Sequence, residues 1–262
     1  MIGLLAEPLG PAYRWVCSRP EVQGRIAPWL SADDVDDFSP SGRGLGPISA
    51  LDRLDRKGGL TGATVLVVGV GRGPEVGRYW LDRGVGHVIG IDLSAYPDDW
   101  RELRSAGSVR NVGVEFGLMD GAHLALQDSS VDVVFSQSVL EHMLDLDGFL
   151  AEAARVLKPG GRFAAYFGPL WSTYGGPHVG ALGYDHLLLD DQTYLEAARD
   201  VGNGWEHWLE AGLFNKLLFD EYLDAFEHHF SIDRLGVVAS REGEAFRHND
   251  PHTWSRLLRN HN

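Results

Sequence analysis

Apolar residues in this chain fall into short continuous runs that alternate with stretches of helical spacing. Residues 64–70 (TVLVVGV) form the clearest run. It is β-branched and apolar on both alternating faces, as expected of a strand buried in a parallel sheet. Similar runs follow at 87–92 (HVIGID), 112–119, 131–136 (VDVVFS) and 162–167 (RFAAYF). The stretches 75–83, 98–106 and 140–157 read as the intervening helices. KPGG at 158–161 is placed to stop the last of them, because Pro cannot continue a helix and Gly accepts the left-handed cap. Strands alternating with helices predict an α/β domain with a parallel sheet and right-handed crossovers.

The flanks lack this rhythm. Residues 1–60 read as an N-terminal helical cap, with helical stretches at 21–30 and 48–57 around a Ser/Pro/Gly-rich loop at 36–47. The cap is either a packing pair or a flap over the glycine turn that follows the first strand. Residues 61–262 read as the main unit of a single-domain protein, with an insertion at about 168–218 that is dense in Gly, Trp, Tyr and His. Beyond it, 219–229 predicts a helix, 230–239 a strand and 251–258 a short helix.

Composition narrows the partners. The 262-residue chain carries 37 acidic against 23 basic residues, a formal net charge of −14. A nucleic-acid partner needs a basic surface, so none is expected. Cys17 is the one cysteine, which excludes an internal disulfide and a cysteine metal cluster. No apolar run approaches the ~20 residues that span a membrane, and the first residues make a poor signal peptide. A cytoplasmic protein acting on a small molecule is the expectation.

The chemistry starts at the first strand's end, where Gly69, Gly71 and Gly73 let backbone approach a ligand. Asp92 closes the next strand, about 20 residues on, where a carboxylate accepts from ribose hydroxyls or caps a helix. A dehydrogenase fingerprint fits poorly, since its third glycine position holds Pro74. Asp120 ends the third strand. The run Asp132, Val134, Ser136, Val139, Leu140, Glu141, His142, Asp145 then leads to Arg155-Val-Leu-Lys-Pro-Gly-Gly161. With the glycine turn, this set resembles the class I S-adenosylmethionine-dependent methyltransferases over about 62–168.

The resemblance implies a Rossmann-like fold with a mostly parallel seven-stranded sheet, helices on both faces and the last strand antiparallel. It implies S-adenosylmethionine as donor and S-adenosylhomocysteine as product. Gly69, Gly71 and Gly73 would lie against the methionine part and Asp92 would hold the ribose. Met119, Asp120 and Gly121 would flank the adenine, and Ser136 and Gln137 would line the methionine end.

On the acceptor side, His142 is the first candidate general base, assisted by Glu141; the competing role is to brace the following helix. His178 is the second. Trp171, Tyr174, Tyr184 and His186 are candidate acceptor contacts, or else a small aromatic core beneath a long loop; Trp205, His207 and Trp208 follow them. Glu141, His142 and an insertion histidine have metal-ligand chemistry. A metal is not favoured, because Ser138 stands where metal-using relatives carry another Glu. The expected activity is O-methylation of a sugar or glycoside hydroxyl. The alternatives are a phenolic or polyketide-like acceptor, or a non-catalytic cofactor-binding regulatory subunit.

Overall fold

The first strand, β1 (Thr64–Val68), forms where five consecutive residues are β-branched or leucine, and four of the five are buried. In the computed structural model it lies at the centre of a sheet of order β3-β2-β1-β4-β5. The structure describes residues 51, 52, 55, 59–74, 76–235 and 241–260. The expected cap helix at 21–30 and loop at 36–47 lie outside them.

The other strands are β2 (His87–Asp92), β3 (Gly113–Leu118), β4 (Val131–Gln137) and β5 (Leu157–Tyr166). All four neighbouring pairs are parallel. Helix α1 (Pro97–Val109) links β2 to β3, and α2 (Leu146–Val156) links β4 to β5. Downstream lie α3 (Asp191–Val201), α4 (Glu206–Glu210), α5 (Phe219–His229), α6 (Arg241–Asn249) and α7 (Pro251–Asn260).

Alternate residues of β1 feed two cores. Leu66 and Val68 pack with α2 and α5 residues such as Phe149, Leu150 and Phe226. Val65 and Val67 pack on the other face with Trp80, Trp100 and Phe135. Burial on both faces explains why the strand has no polar position after Thr64.

The open parallel α/β sheet agrees with expectation, but five strands rather than seven are present among the described residues. Residues 230–235 are not a strand, and the rest of that expected strand, 236–239, lies outside the described residues. The helix expected at 75–83 is a single π-helical segment, Val76–Trp80, in which Leu81 N–H reaches back to the Val76 carbonyl at 3.3 Å. This wide turn carries Val76, Tyr79 and Trp80 into the second core.

The helix expected at 140–157 is broken. Leu140–His142 is one 3-10 turn, and α2 starts afresh with the Asp145 carboxylate accepting the Gly148 N–H at 2.9 Å. Asn215, about 70 residues away, holds the break open. Its Nδ2 donates to the carbonyls of Leu140 at 2.7 Å and Met143 at 3.1 Å. Residues 158–161 also differ from expectation. They lie inside β5, where pairing shifts from Val131↔Leu157 to Val133↔Arg162, so KPGG loops outward within the strand. Lys158 Nζ then reaches the Asp132 carboxylate at 2.8 Å, which also accepts Thr64 N–H.

Because every pair is parallel, all five carboxyl ends share one edge. The strand order reverses between β1 and β4, the place where open α/β sheets take their ligands.

Candidate functional site

The loop after β1 is fixed by its neighbour strand. Gly69 and Val70 N–H both donate to the Ile91 carbonyl, at 2.9 and 3.0 Å. Gly69 has φ +69, and a Cβ built there would lie 2.2 Å from Val139 Cγ2. The glycine turn and the turn leading to Glu141 are therefore in direct contact. Val139 is β-branched and stiff, so it gives way poorly. Gly69→Ala is expected to destabilise the protein by about 2–4 kcal/mol through left-handed backbone strain and overpacking. Thermal denaturation checks this, and an unchanged midpoint contradicts it. Gly71 also has positive φ, but a Cβ there would meet nothing within 4 Å. The turn's apex thus faces open space.

Asp92 holds this apex. One carboxylate oxygen accepts Gly71 N–H at 2.7 Å and the other accepts Ser94 N–H at 2.9 Å. Each oxygen keeps a lone pair for a ligand hydroxyl. Trp100 adds a support that sequence reasoning missed. Its indole N–H donates to the Gly71 carbonyl at 2.8 Å, and its ring stacks on Phe116 with centroids 4.9 Å apart. Leu93, just after β2, and Leu118, the last residue of β3 and the register partner of Asp92, are apolar side chains 78% and 60% exposed. Asp120 is exposed; its carboxylate accepts Ala122 N–H at 3.0 Å and lies 3.6 Å from His123. Met119 is half-buried and Gly121 buried next to Phe149 and Met143. Ser136 is buried, with its hydroxyl directed to the Val68 carbonyl at 3.3 Å, so it links β1 to β4. Gln137 Oε1 is a buried acceptor with no hydrogen-bond partner.

An open glycine apex, a carboxylate with spare lone pairs, exposed leucines at the strand ends and an unpaired amide oxygen suit a nucleoside carrying a polar amino-acid tail. Gly71, Asp92, Leu93, Leu118 and Gln137 are the residues that would hold it.

Across the switch point lies a second group. Glu141 is 2% exposed, and burial pushes its carboxyl up to about 7 against the hydrogen bonds that favour its charge. Oε1 accepts Gly168 N–H at 3.1 Å, while Oε2 is buried without a partner. His142 Nδ1 lies 2.9 Å from the Leu213 carbonyl, which fixes the proton on Nδ1 and leaves the Nε2 lone pair available. Burial lowers the His142 pKa, opposed by that hydrogen bond.

His178 comes from the insertion. It sits at φ +64, a conformation rare for a non-glycine residue. Its ring stacks on His142 with centroids 5.2 Å apart and on Trp205 at 4.2 Å. Burial, then the nearby His142, push its pKa down to about 4. His178 is accordingly neutral at pH 7, and burial biases His142 the same way. Trp208 and Phe214 each lie 4.8 Å from the His142 ring and complete an aromatic wall.

The predicted acceptor residues divide into two sets. Trp171 belongs near this wall, 5.9 Å from Phe214, with Lys216 Nζ 4.6 Å over its ring. His186 is buried beneath it, Nε2 lying 2.6 Å from the Trp171 carbonyl. Tyr174 and Tyr184 instead pack with Phe246, and Tyr184 with Trp254, as an aromatic group under α6 and α7. His207 is exposed on α4, its ring 6.1 Å from Trp208. Sequence reasoning missed Phe214 and Asn215. Asn215 N–H donates to the Glu141 carbonyl at 3.1 Å, and Tyr222 OH donates to its Oδ1 at 2.8 Å, so this segment sutures the insertion to the Glu141-His142 turn. The polar pair Asn215-Lys216 between Leu213-Phe214 and Leu217-Leu218 was the available signal.

A doubly wound parallel sheet with paired turns at its switch point defines a Rossmann-like ligand-binding domain. Residues 66–165 match the family described as "Methyltransferase domain". The chain carries a class I S-adenosylmethionine-dependent methyltransferase domain. It is 35% identical over 169 residues to the ubiquinone/menaquinone biosynthesis C-methyltransferase UbiE of Acidiphilium cryptum, covering 60% of this chain and 66% of that protein. It is 30% identical over 194 residues to a malonyl-[acyl-carrier protein] O-methyltransferase of Methylococcus capsulatus, covering 70% and 66%. A solved S-adenosylmethionine-dependent methyltransferase from Mesorhizobium loti is 26% identical over 44% of this chain and 50% of that one, with a TM-score of 0.36. The chain spans about two thirds of the length of the two curated relatives named above. Among the described residues, no helix is long and apolar enough to cross a membrane.

Proposed function

We propose that the chain transfers a methyl group from S-adenosylmethionine to a hydroxyl of a small acceptor with a flat or apolar face, a sugar or a phenolic ring. The observation that carries this reading is the contact of the Gly69 turn with the Val139–His142 turn, which sets a donor-side cradle beside an oriented histidine. When bound, S-adenosylmethionine supplies an electrophilic sulfonium methyl group. Gly71 and Asp92 hold its nucleoside end, and Gln137 Oε1 offers an acceptor to its amino-acid end. Trp205, Trp208 and Phe214 give the acceptor a surface to lie on and exclude water around His142.

His142 Nε2 takes the hydroxyl proton as the new O–CH₃ bond forms and the S–CH₃ bond breaks. Holding both partners in line lowers the entropic part of the barrier, and the base removes a proton that an alcohol otherwise keeps. One named relative is a C-methyltransferase and another an O-methyltransferase, so the domain alone does not set the acceptor atom. The oxygen preference rests on His142 and the wall above it.

The test is transfer from isotopically labelled S-adenosylmethionine to a panel of glycosides and phenols, with product analysis by mass spectrometry and NMR. An O-methyl ether on either class is expected. Methylation confined to carbon or to carboxylate acceptors overturns the acceptor assignment while leaving the donor assignment standing.

A further inference from the structure

We infer that Glu141, His142 and His178 form a binding site for a divalent transition-metal ion, with zinc the best fit. One ligand-type atom from each of the three lies within 4.8 Å of those from the other two. The atoms are also available. Glu141 Oε2 is buried with no hydrogen-bond partner, and the residue is 2% exposed. His178 Nε2 is buried without a partner as well. His142 spends Nδ1 on the Leu213 carbonyl, the usual arrangement that orients an imidazole to coordinate through its other nitrogen.

An isolated buried carboxylate oxygen is costly, and the unpartnered His178 nitrogen adds to the cost. One cation would satisfy both and take the His142 Nε2 lone pair as its third donor. Two imidazoles and one carboxylate select a borderline metal over magnesium or calcium, which take oxygen-rich shells. The donor set is that of open catalytic zinc sites, with three protein ligands and a free position. Zinc–ligand distances of about 2.1 Å require the three groups to draw together by about an ångström.

The sequence offers Glu141, His142 and an insertion histidine as ligand types, and Ser138 in place of a further Glu counts against a metal. The fold brings His178, from beyond β5, to the pair and completes the cluster. Asn215 and the Gly168 N–H hold the Glu141-His142 turn in place for it. A bound ion occupies the lone pair that His142 otherwise offers to a proton, so metal-bound and proton-accepting forms are alternative states of one site.

This inference deepens the acceptor-side reading, but its test requires neither donor nor acceptor. The full chain, stripped with a chelator, is titrated with Zn²⁺ by calorimetry and with Co²⁺ by visible absorption. One tight equivalent is expected, with the intense d–d bands of low-coordinate cobalt. His178→Ala should weaken that equivalent at least tenfold and bleach the bands while keeping the thermal unfolding midpoint of the metal-free protein. Glu141→Gln should weaken it in the same direction. Absence of a stoichiometric equivalent in the unaltered protein overturns the site, as does equal affinity in His178→Ala. S-adenosylhomocysteine binding, measured on the same samples, scores the donor assignment separately.

Discussion

Asp92→Ala is expected to weaken S-adenosylhomocysteine binding by about ten- to a hundredfold. Hydrogen bonds to a charged group contribute about 1.5–3 kcal/mol each, and the ribose offers hydroxyls to this carboxylate. The substitution has a second effect. Asp92 also accepts Gly71 and Ser94 N–H, so its removal frees the apex that the ligand must approach. Asp92→Asn keeps one oxygen acceptor and should fall between the two. Calorimetric titration of each variant measures the loss. Thermal unfolding without ligand separates the causes: a turn effect lowers the midpoint, whereas lost ribose contacts leave it alone. Full affinity in Asp92→Ala would remove Asp92 from the donor site.

His142→Ala should cut turnover by about 10²–10⁴ in metal-depleted protein, the usual range for loss of a positioned base. S-adenosylhomocysteine affinity should not change, because His142 lies across the switch point from Asp92. His142 sits over a turn fixed by Asn215 and Tyr222, whose hydrogen bonds remain when the imidazole is removed; its own bond to the Leu213 carbonyl is the one that is lost. Steady-state kinetics with a saturating acceptor provide the check. Turnover within a few-fold of the unaltered protein would show that His142 only braces the turn before α2.

The central sheet was legible because its strands are buried on both faces. Runs such as TVLVV and VDVVFS have few other ways to hide. The meeting of the glycine turn and Asp92 was legible for a related reason: Gly69–Gly73 and Asp92 end consecutive strands, and a parallel sheet necessarily puts those ends together. Trp100 was not, because its role as a brace for Gly71 depends on α1 folding back across the turn.

The acceptor side shows where local pattern stops. Leucine and alanine spacing over 140–157 favours one continuous helix, yet Asn215 captures two carbonyls and forces a break. That contact is long-range and carries no periodic signature. His178 was visible as a residue type, but its stacking on His142 depends on a left-handed backbone conformation and on Trp205, set by the folded loop. Tyr174 and Tyr184 read equally as acceptor contacts or as a small aromatic core beneath a long loop. They pack with Phe246 of α6, a helix that the chain's apolar spacing did not announce.

The most direct test of the account is a calorimetric titration of the intact, unaltered chain with S-adenosylhomocysteine. Saturable one-to-one binding, protecting amides of the Gly69–Gly73 turn and the Asp92–Ser94 segment from hydrogen exchange, is the predicted result. No binding, or binding that leaves those amides unprotected, would contradict it.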